Sequence, residues 1–240
     1  DFCLSRGLGD VYKRQALSEN PEDDDARSLL SEVRQLYDVG EAELKRRVEV
    51  YPRDPVGHSI LGYTYLERGL VDDAVAEFKR ALEAEPDLSA VRVLLGEVYL
   101  GKGMVDEAIA ELKRALAKEP GGAKGHLLLG QAYDRKGMPD LAISEYDKAI
   151  EIEPRSAAAY LYLGYIYQIR GDEEKAIGAY QRSIELRPTP QAHDNLATVY
   201  ANRGELERAI GEWEKALRLD EGYMPARRKM EKAISMLRGD

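Results

Sequence analysis

The amino-acid sequence predicts an all-α protein, namely a right-handed superhelical solenoid of antiparallel helix pairs. Two observations lead to this prediction. Apolar and small residues recur with a period of 34 residues, and each period holds two stretches of helical apolar spacing separated by a glycine. Neither helix of such a unit can bury its apolar face alone. Successive units must therefore stack, and stacking predicts one long concave surface.

The period is marked by a Leu-Gly pair, found at Leu61-Gly62, Leu95-Gly96, Leu129-Gly130 and Leu163-Gly164, with Leu196-Ala197 in the same place of a fifth unit. The first four pairs are 34 residues apart, and the last follows after 33. Other positions repeat in the same register. They are Tyr65, Tyr99, Tyr133, Tyr167 and Tyr200; Gly69, Gly103, Gly137, Gly171 and Gly204; Phe78, Leu112, Tyr146, Tyr180 and Trp213; and Pro86, Pro120, Pro154 and Pro188.

The first unit shows why these residue types suit a helix pair. Gly69 is expected to end the first helix in a left-handed conformation, where a Cβ would be strained. Asp72 lies near the start of the second helix, where an acid is expected to cap free amides and to meet the positive end of the helix dipole. Small residues at Gly62 and Ala74 let the two helices approach closely, and Phe78 fills the space between neighbours.

The pattern Leu-Gly-x-x-Tyr, Ala-x-x-x-Phe, Pro over 34 residues resembles the tetratricopeptide repeat, a two-helix unit. Five successive units match it, so the resemblance is specific. It covers residues 55–223 and predicts five repeats, at 55–88, 89–122, 123–156, 157–189 and 190–223.

The two flanks depart from this pattern. Residues 5–15, SRGLGDVYKRQ, look like a translated sequencing-library adapter, so we expect residues 1–15 to be an artefact and the protein to be bacterial and from environmental DNA. Residues 16–54 read as a truncated and degenerate helical repeat, with further repeats expected upstream. Residues 224–240 read as a capping helix with a polar outer face, where we expect the array to end.

Composition excludes several classes of protein. The 240 residues are 44% hydrophobic and 33% charged, which is too apolar for a disordered chain and too charged for a membrane protein. A net charge of −9 argues against a nucleic-acid partner, and no apolar run reaches the roughly 18 residues of a membrane span. The single cysteine, Cys3, lies within residues 1–15, which we expect to be an artefact. Localisation stays open between cytoplasm and periplasm, because the true N-terminus is not in view.

No residue set predicts catalysis. The three histidines, His58, His126 and His193, fall at the same position of different units. Stacked helix layers of about 10 Å would place them about 20 Å or more apart, so one metal cannot be shared and a packing role is favoured. Motifs for a metalloprotease, a phosphate-binding loop or an activated nucleophile are missing from the sequence. We therefore predict that the chain is not an enzyme and needs neither cofactor nor metal.

The resemblance implies where a partner would bind. In this family the concave surface is lined by positions 2, 5, 6, 9, 12 and 13 of each first helix. The resulting candidates for a peptide-binding groove are Ile60, Tyr63, Leu66, Glu97, Gln131, Arg135, Tyr162, Tyr165, Gln168 and Asn195. The Lys and Asn residues with which chaperone-binding relatives hold a terminal carboxylate are absent here. An apolar and aromatic groove favours a protein or peptide with apolar or aromatic anchors.

Three functions agree with this reading. The chain is a scaffold that binds a peptide or helix of one partner, the repeat arm of a longer enzyme such as a transferase, or an assembly factor of envelope or secretion machinery. We favour the scaffold, because a capping helix is predicted at the C-terminus with no domain after it. The partner's identity, upstream segments, a signal peptide or lipid anchor, and the oligomeric state stay open.

Overall fold

The computed structural model describes residues 40–238, so the predictions for residues 1–15 and 16–39 lie outside the described part of the chain. Within it the chain is all-α, as predicted, with twelve helices and no strand. The helices are α1 (Glu41–Val50), α2 (Pro55–Glu67), α3 (Val71–Ala84), α4 (Ser89–Gly101), α5 (Val105–Lys118), α6 (Ala123–Arg135), α7 (Pro139–Ile152), α8 (Ala157–Arg170), α9 (Glu173–Leu186), α10 (Pro190–Asn202), α11 (Leu206–Leu219) and α12 (Met224–Arg238).

The chain divides into two compact units, Asp1–Pro120 and Gly121–Asp240. The described part of the N-terminal unit contains two helix pairs, α2 with α3 and α4 with α5, and α1 packs on α2. The C-terminal unit contains three pairs, α6 with α7, α8 with α9 and α10 with α11, and α12 packs on α11. Inside each unit the second helix of a pair also packs on the first helix of the next, so every interior helix is covered on two sides.

A glycine ends the turn between the two helices of every pair. Gly69, Gly103, Gly137, Gly171 and Gly204 all have positive φ angles, between 73° and 79°. In the first pair the amide of Leu70 donates to the carbonyl of Tyr65 at 2.9 Å, which closes the end of the first helix. Because L-residues with a Cβ are strained at such angles, glycine is required here, and the predicted left-handed stop is confirmed.

The two helices of a pair touch at the glycine of the Leu-Gly motif. A Cβ added to Gly130 would lie 2.5 Å from Cε1 of Tyr146, and a Cβ on Gly164 would lie 2.7 Å from Cδ1 of Tyr180. Both tyrosines are completely buried. The absence of a side chain on the first helix is therefore what admits an aromatic ring from the second, as the sequence predicted.

The expectation that acids cap the second helices is wrong. The N-cap of α3 is Leu70, and no side chain accepts a capping hydrogen bond there. Asp72 is the second residue of that helix, and its carboxylate instead receives Nζ of Lys102 from the next pair. Asp140 receives Arg170 in the same way. These acids still lie in the first turn, where the helix dipole favours them.

We predict that Gly130→Ala lowers the free energy of unfolding by about 1–3 kcal/mol, because the new methyl group must displace the buried Tyr146 ring. Gly178→Ala is the matched control. That glycine also lies inside a helix, but nothing is within 4 Å of its Cβ position, so alanine should raise stability by up to about 1 kcal/mol. Urea unfolding followed by circular dichroism measures both. Equal effects of the two substitutions would mean that the helix contact does not depend on the glycine.

Candidate functional site

Each histidine is buried in a hydrogen-bonded contact with a glutamate of its own helix pair. His58 Nδ1 lies 2.6 Å from Oε2 of Glu77, and His126 Nδ1 lies 2.6 Å from Oε2 of Glu145. His193 Nδ1 lies 2.7 Å from Oε2 of Glu212. In residues 40–238 there is no group of three or more His, Cys, Asp or Glu side chains that could hold a metal ion. The three histidines thus join the first helix of a pair to the second.

Arginine takes the same place in the second repeat. Arg92 donates through Nη1 to Glu111 and through Nη2 to the carbonyl of Pro86 at 2.8 Å. His58 makes the equivalent approach, with Nε2 3.2 Å from the carbonyl of Pro52. In these repeats a basic residue on the first helix occurs together with a glutamate 19 residues later on the second. The pair therefore acts as one structural element, which links the two helices of a repeat to the loop before the first helix.

The fourth repeat lacks both members of this pair. Its residues at the two positions are Tyr160 and Ala179. The loss of base and acid together supports a structural role for the pair, because a lone buried carboxylate or a lone buried base would cost stability.

In the N-terminal unit, the predicted groove residues are mostly packed inside. Ile60 is 0% exposed and Tyr63 is 4% exposed, so neither offers surface to a partner in this structure. Burial, together with the nearby carboxylates of Glu67 and Glu97, raises the pKa of Tyr63 to about 12. Leu66 is half-buried, and of the four candidates in this unit only Glu97 is exposed.

In the C-terminal unit, the predicted residues lie on consecutive first helices. The first helices touch in order, α6 with α8, α8 with α10 and α10 with α12. We call the surface they share the first-helix face. The candidates there are Gln131, Tyr162, Gln168 and Asn195, which are half-buried, and Arg135 and Tyr165, which are exposed.

Two apolar side chains of α8 stand out from this face. Tyr165 is 43% exposed, and Ile169, one helical turn further on, is 62% exposed. The ring of Tyr162 stacks on that of Tyr146, with 5.8 Å between the ring centroids. The face therefore presents an aromatic and aliphatic strip on the fourth repeat.

A small pocket lies beside this strip, at the junction of α8, α9 and α10. Its volume is about 180 Å³, and its lining includes Leu161, Tyr162, Arg187 and Gln191. Here the loop between repeats is one residue shorter than elsewhere, because the fourth repeat spans 33 residues. The pocket is large enough for one apolar side chain.

The face ends at Asp194, which is not among the ten groove candidates although it lies at position 5 of the fifth repeat. Asp194 is 4% exposed and accepts from Trp213 Nε1 at 2.8 Å. Nζ of Lys229, on α12, donates to both carboxylate oxygens of Asp194 at 2.8 and 2.9 Å and to Thr198 Oγ1 at 3.1 Å. The carboxylate of Asp194 is thus satisfied within the chain. The sequence signal that could have indicated this contact is the spacing of 19 residues between Asp194 and Trp213, which is the same as in the His–Glu pairs.

No helix within residues 40–238 has both the length and the apolar character needed to cross a membrane.

Four family models described as "Tetratricopeptide repeat" match the chain. They cover residues 33–89, 65–132, 123–156 and 155–229, which together span the described helices from α1 into α12. No curated protein matches the chain significantly.

Solved structures share the fold. MamA is 28% identical with a TM-score of 0.62, and the match covers 67% of this chain and 95% of MamA. TTC0263, a thermophilic TPR protein of Thermus thermophilus, is 26% identical with a TM-score of 0.61, covering 75% and 99% of the two chains. YrrB, described as a TPR protein with an unusual peptide-binding site, is 20% identical with a TM-score of 0.64, covering 80% and 100%. The solenoid fold class is confirmed.

The acid of the His193–Glu212 pair leads to a prediction on pH. Burial raises the pKa of Glu212, but the hydrogen bonds from His193 and Lys215 outweigh it and hold the pKa below the ordinary value of 4.5. The folded state therefore favours the carboxylate. Its contribution to stability is complete above about pH 4.5 and is lost as the pH falls through the lowered pKa.

We expect Glu212→Gln to lower the free energy of unfolding at pH 7 by about 1 kcal/mol or less, since the site is partly solvated. The difference from the unmodified chain should shrink as the pH falls from about 5 to about 3, which urea unfolding at several pH values measures. Glu214→Gln is the control, because that side chain is 55% exposed and reaches Arg218 only at 4.0 Å. A difference for Glu212→Gln that stays constant across this acid range would contradict the prediction.

Proposed function

We propose that this chain, which belongs to the tetratricopeptide repeat family, is a protein-interaction scaffold that holds a peptide or helix of a partner on the first-helix face of its C-terminal unit. The observation that carries the proposal is the exposure of Tyr165 and Ile169, which are 43% and 62% accessible on one helix. Exposed apolar side chains next to one another are typical of interaction sites.

The strip has the composition of a binding hot spot. Tyrosine is enriched among residues that dominate binding energies, because a rigid aromatic ring offers much contact area and loses little entropy. Tyr162 lines a pocket that fits one side chain, and Tyr165 follows three residues later on the same helix. Half-buried polar groups, Gln131, Gln168 and Asn195, lie on the same face and supply a rim that hydrogen-bonds a backbone.

These features favour a partner with apolar or aromatic anchors, either an amphipathic helix or an extended segment. The spacing of Tyr165 and Ile169, one helical turn, suits two anchors of the partner that are themselves one turn apart. An arm of a longer enzyme and an envelope or secretion assembly factor use repeats in the same way. The proposal therefore concerns this face and applies within either larger protein.

The experiment starts from peptides selected on the full chain from a random twelve-residue display library. Their dissociation constants are then measured for the unmodified chain and for the Tyr165→Ala, Ile169→Ala double variant. We expect affinity to fall about tenfold or more, because truncating central apolar contacts typically costs about 1–2 kcal/mol or more of binding free energy.

Leu141→Ala is the matched control, since Leu141 is similarly exposed, at 41%, but lies on a second helix. It should leave the affinity unchanged, and unchanged thermal unfolding of all variants shows that binding alone is affected. If the double variant binds the selected peptides as tightly as the unmodified chain, the face is not the binding site.

A further inference from the structure

Tyr146 and Tyr180 occupy the same position in the third and fourth repeats but differ in their hydrogen bonding. The hydroxyl of Tyr180 donates to Oε1 of Gln168, twelve residues earlier, at 2.7 Å. The residue twelve positions before Tyr146 is Asp134. Aspartate is one C–C bond shorter than glutamine, about 1.5 Å. Among the described residues the hydroxyl of Tyr146 has no hydrogen-bond partner.

This hydroxyl is an unusual feature of the third repeat. Tyr146 is 0% exposed, and a buried hydroxyl without a hydrogen-bond partner lowers the stability of the folded state. A phenylalanine would fill the same space, as Phe78 does at this position in the first repeat. Asp134 lies beside it on the first-helix face, half-buried, and burial raises the pKa of its carboxyl, although Arg135 offsets this in part.

We propose that the Tyr146 hydroxyl and the Asp134 carboxylate form a polar subsite that receives a carboxamide of the bound segment. A carboxamide suits both groups, since its oxygen accepts from the Tyr146 hydroxyl and its NH donates to Asp134. The inference rests on the proposed function, and it names the chemistry that the partner must carry beside its apolar anchors.

Tyr162, on the first helix of the next repeat, is the aromatic neighbour of Tyr146. It stacks on Tyr146 with an angle of 16° between the ring planes and is itself half-buried. A bound segment reaches the hydroxyl by turning this ring aside, which links the polar subsite to the apolar strip. Formation of the missing hydrogen bond then occurs only in the complex, and this favours partners that carry the matching group.

The first test needs no ligand. Tyr180→Phe removes a hydrogen bond and should lower Tm by about 2–4 °C, whereas Tyr146→Phe removes an unsatisfied group and should leave Tm unchanged or raise it. Asp134→Gln copies the pair of the fourth repeat. It should raise Tm in the unmodified chain but not in the Tyr146→Phe background. If Tyr146→Phe lowers Tm as much as Tyr180→Phe does, the hydroxyl already has a partner and the proposal is overturned.

The second test uses the library peptides selected on the full chain. Tyr146→Phe should weaken their binding about three- to tenfold, the worth of one hydrogen bond, without loss of stability. Asp134→Gln should weaken binding similarly, because the side-chain oxygen of the new glutamine would accept from the Tyr146 hydroxyl. The hydroxyl would then no longer be available to the peptide. If the selected peptides share an Asn or Gln at one position, the carboxamide belongs to that side chain. If they share none and Tyr146→Phe still weakens their binding, the carboxamide is an amide of the peptide backbone.

The two proposals fail separately. If Tyr146→Phe leaves the affinity unchanged while the Tyr165→Ala, Ile169→Ala variant loses it, the polar subsite is overturned and the binding face stands. If neither variant changes the affinity, or the library yields no binding peptide, both are overturned.

Discussion

The contact between a glycine of the first helix and a large side chain of the second is the constraint on which the first four repeats depend, and the fifth has Ala197 in the glycine's place. At Gly62, Gly96, Gly130 and Gly164 an added Cβ would lie between 2.5 and 2.8 Å from Phe78, Leu112, Tyr146 and Tyr180 respectively. A contact this close fixes the rotation and the axial register of both helices, because well-packed interiors do not deform continuously. With the register fixed, residues 19 positions apart meet in pairs, and first helices of neighbouring repeats align within a unit.

The fold was predictable because these constraints leave a strong trace in the sequence. A glycine with a positive φ, such as Gly137, recurs in all five repeats and marks the end of each first helix. The glycine that admits a large side chain, such as Gly130 against the Tyr146 ring, recurs every 34 residues in the first four repeats. Capping was predicted wrongly, since no second helix has a side-chain capping hydrogen bond, even where Asp172 or Glu205 is the N-cap residue. Asp72 and Asp140 pair with the following repeat instead. Local sequence rules therefore predicted the second helix correctly but predicted the wrong hydrogen-bond partner for its acid.

The candidate site was predictable only in part. Position counting gives the side of the helix on which a residue lies but not how far the neighbouring helices cover it. Ile60 and Tyr63 are therefore buried, while Tyr165, at the position equivalent to Tyr63, is open. The buried pairs were detectable, since a glutamate follows His58, Arg92, His126 and His193 by 19 residues. Tyr146 was not, because its missing hydrogen bond becomes visible only by comparison with Tyr180 and Gln168.

Function must then come from positions that the repeat packing does not constrain. Position 12 of the first helix illustrates this, since it holds Asp134 in the third repeat, Gln168 in the fourth and Ala201 in the fifth. Gln168 is satisfied by Tyr180 within its own repeat, and in the fifth repeat Asp194 is satisfied by Trp213 and Lys229. In the fourth and fifth repeats these buried polar groups therefore have their hydrogen-bond partners within the chain. The buried hydroxyl of Tyr146, whose ring stacks on Tyr162 of α8, is left unpaired in the third repeat, where selection for stability alone would have favoured phenylalanine.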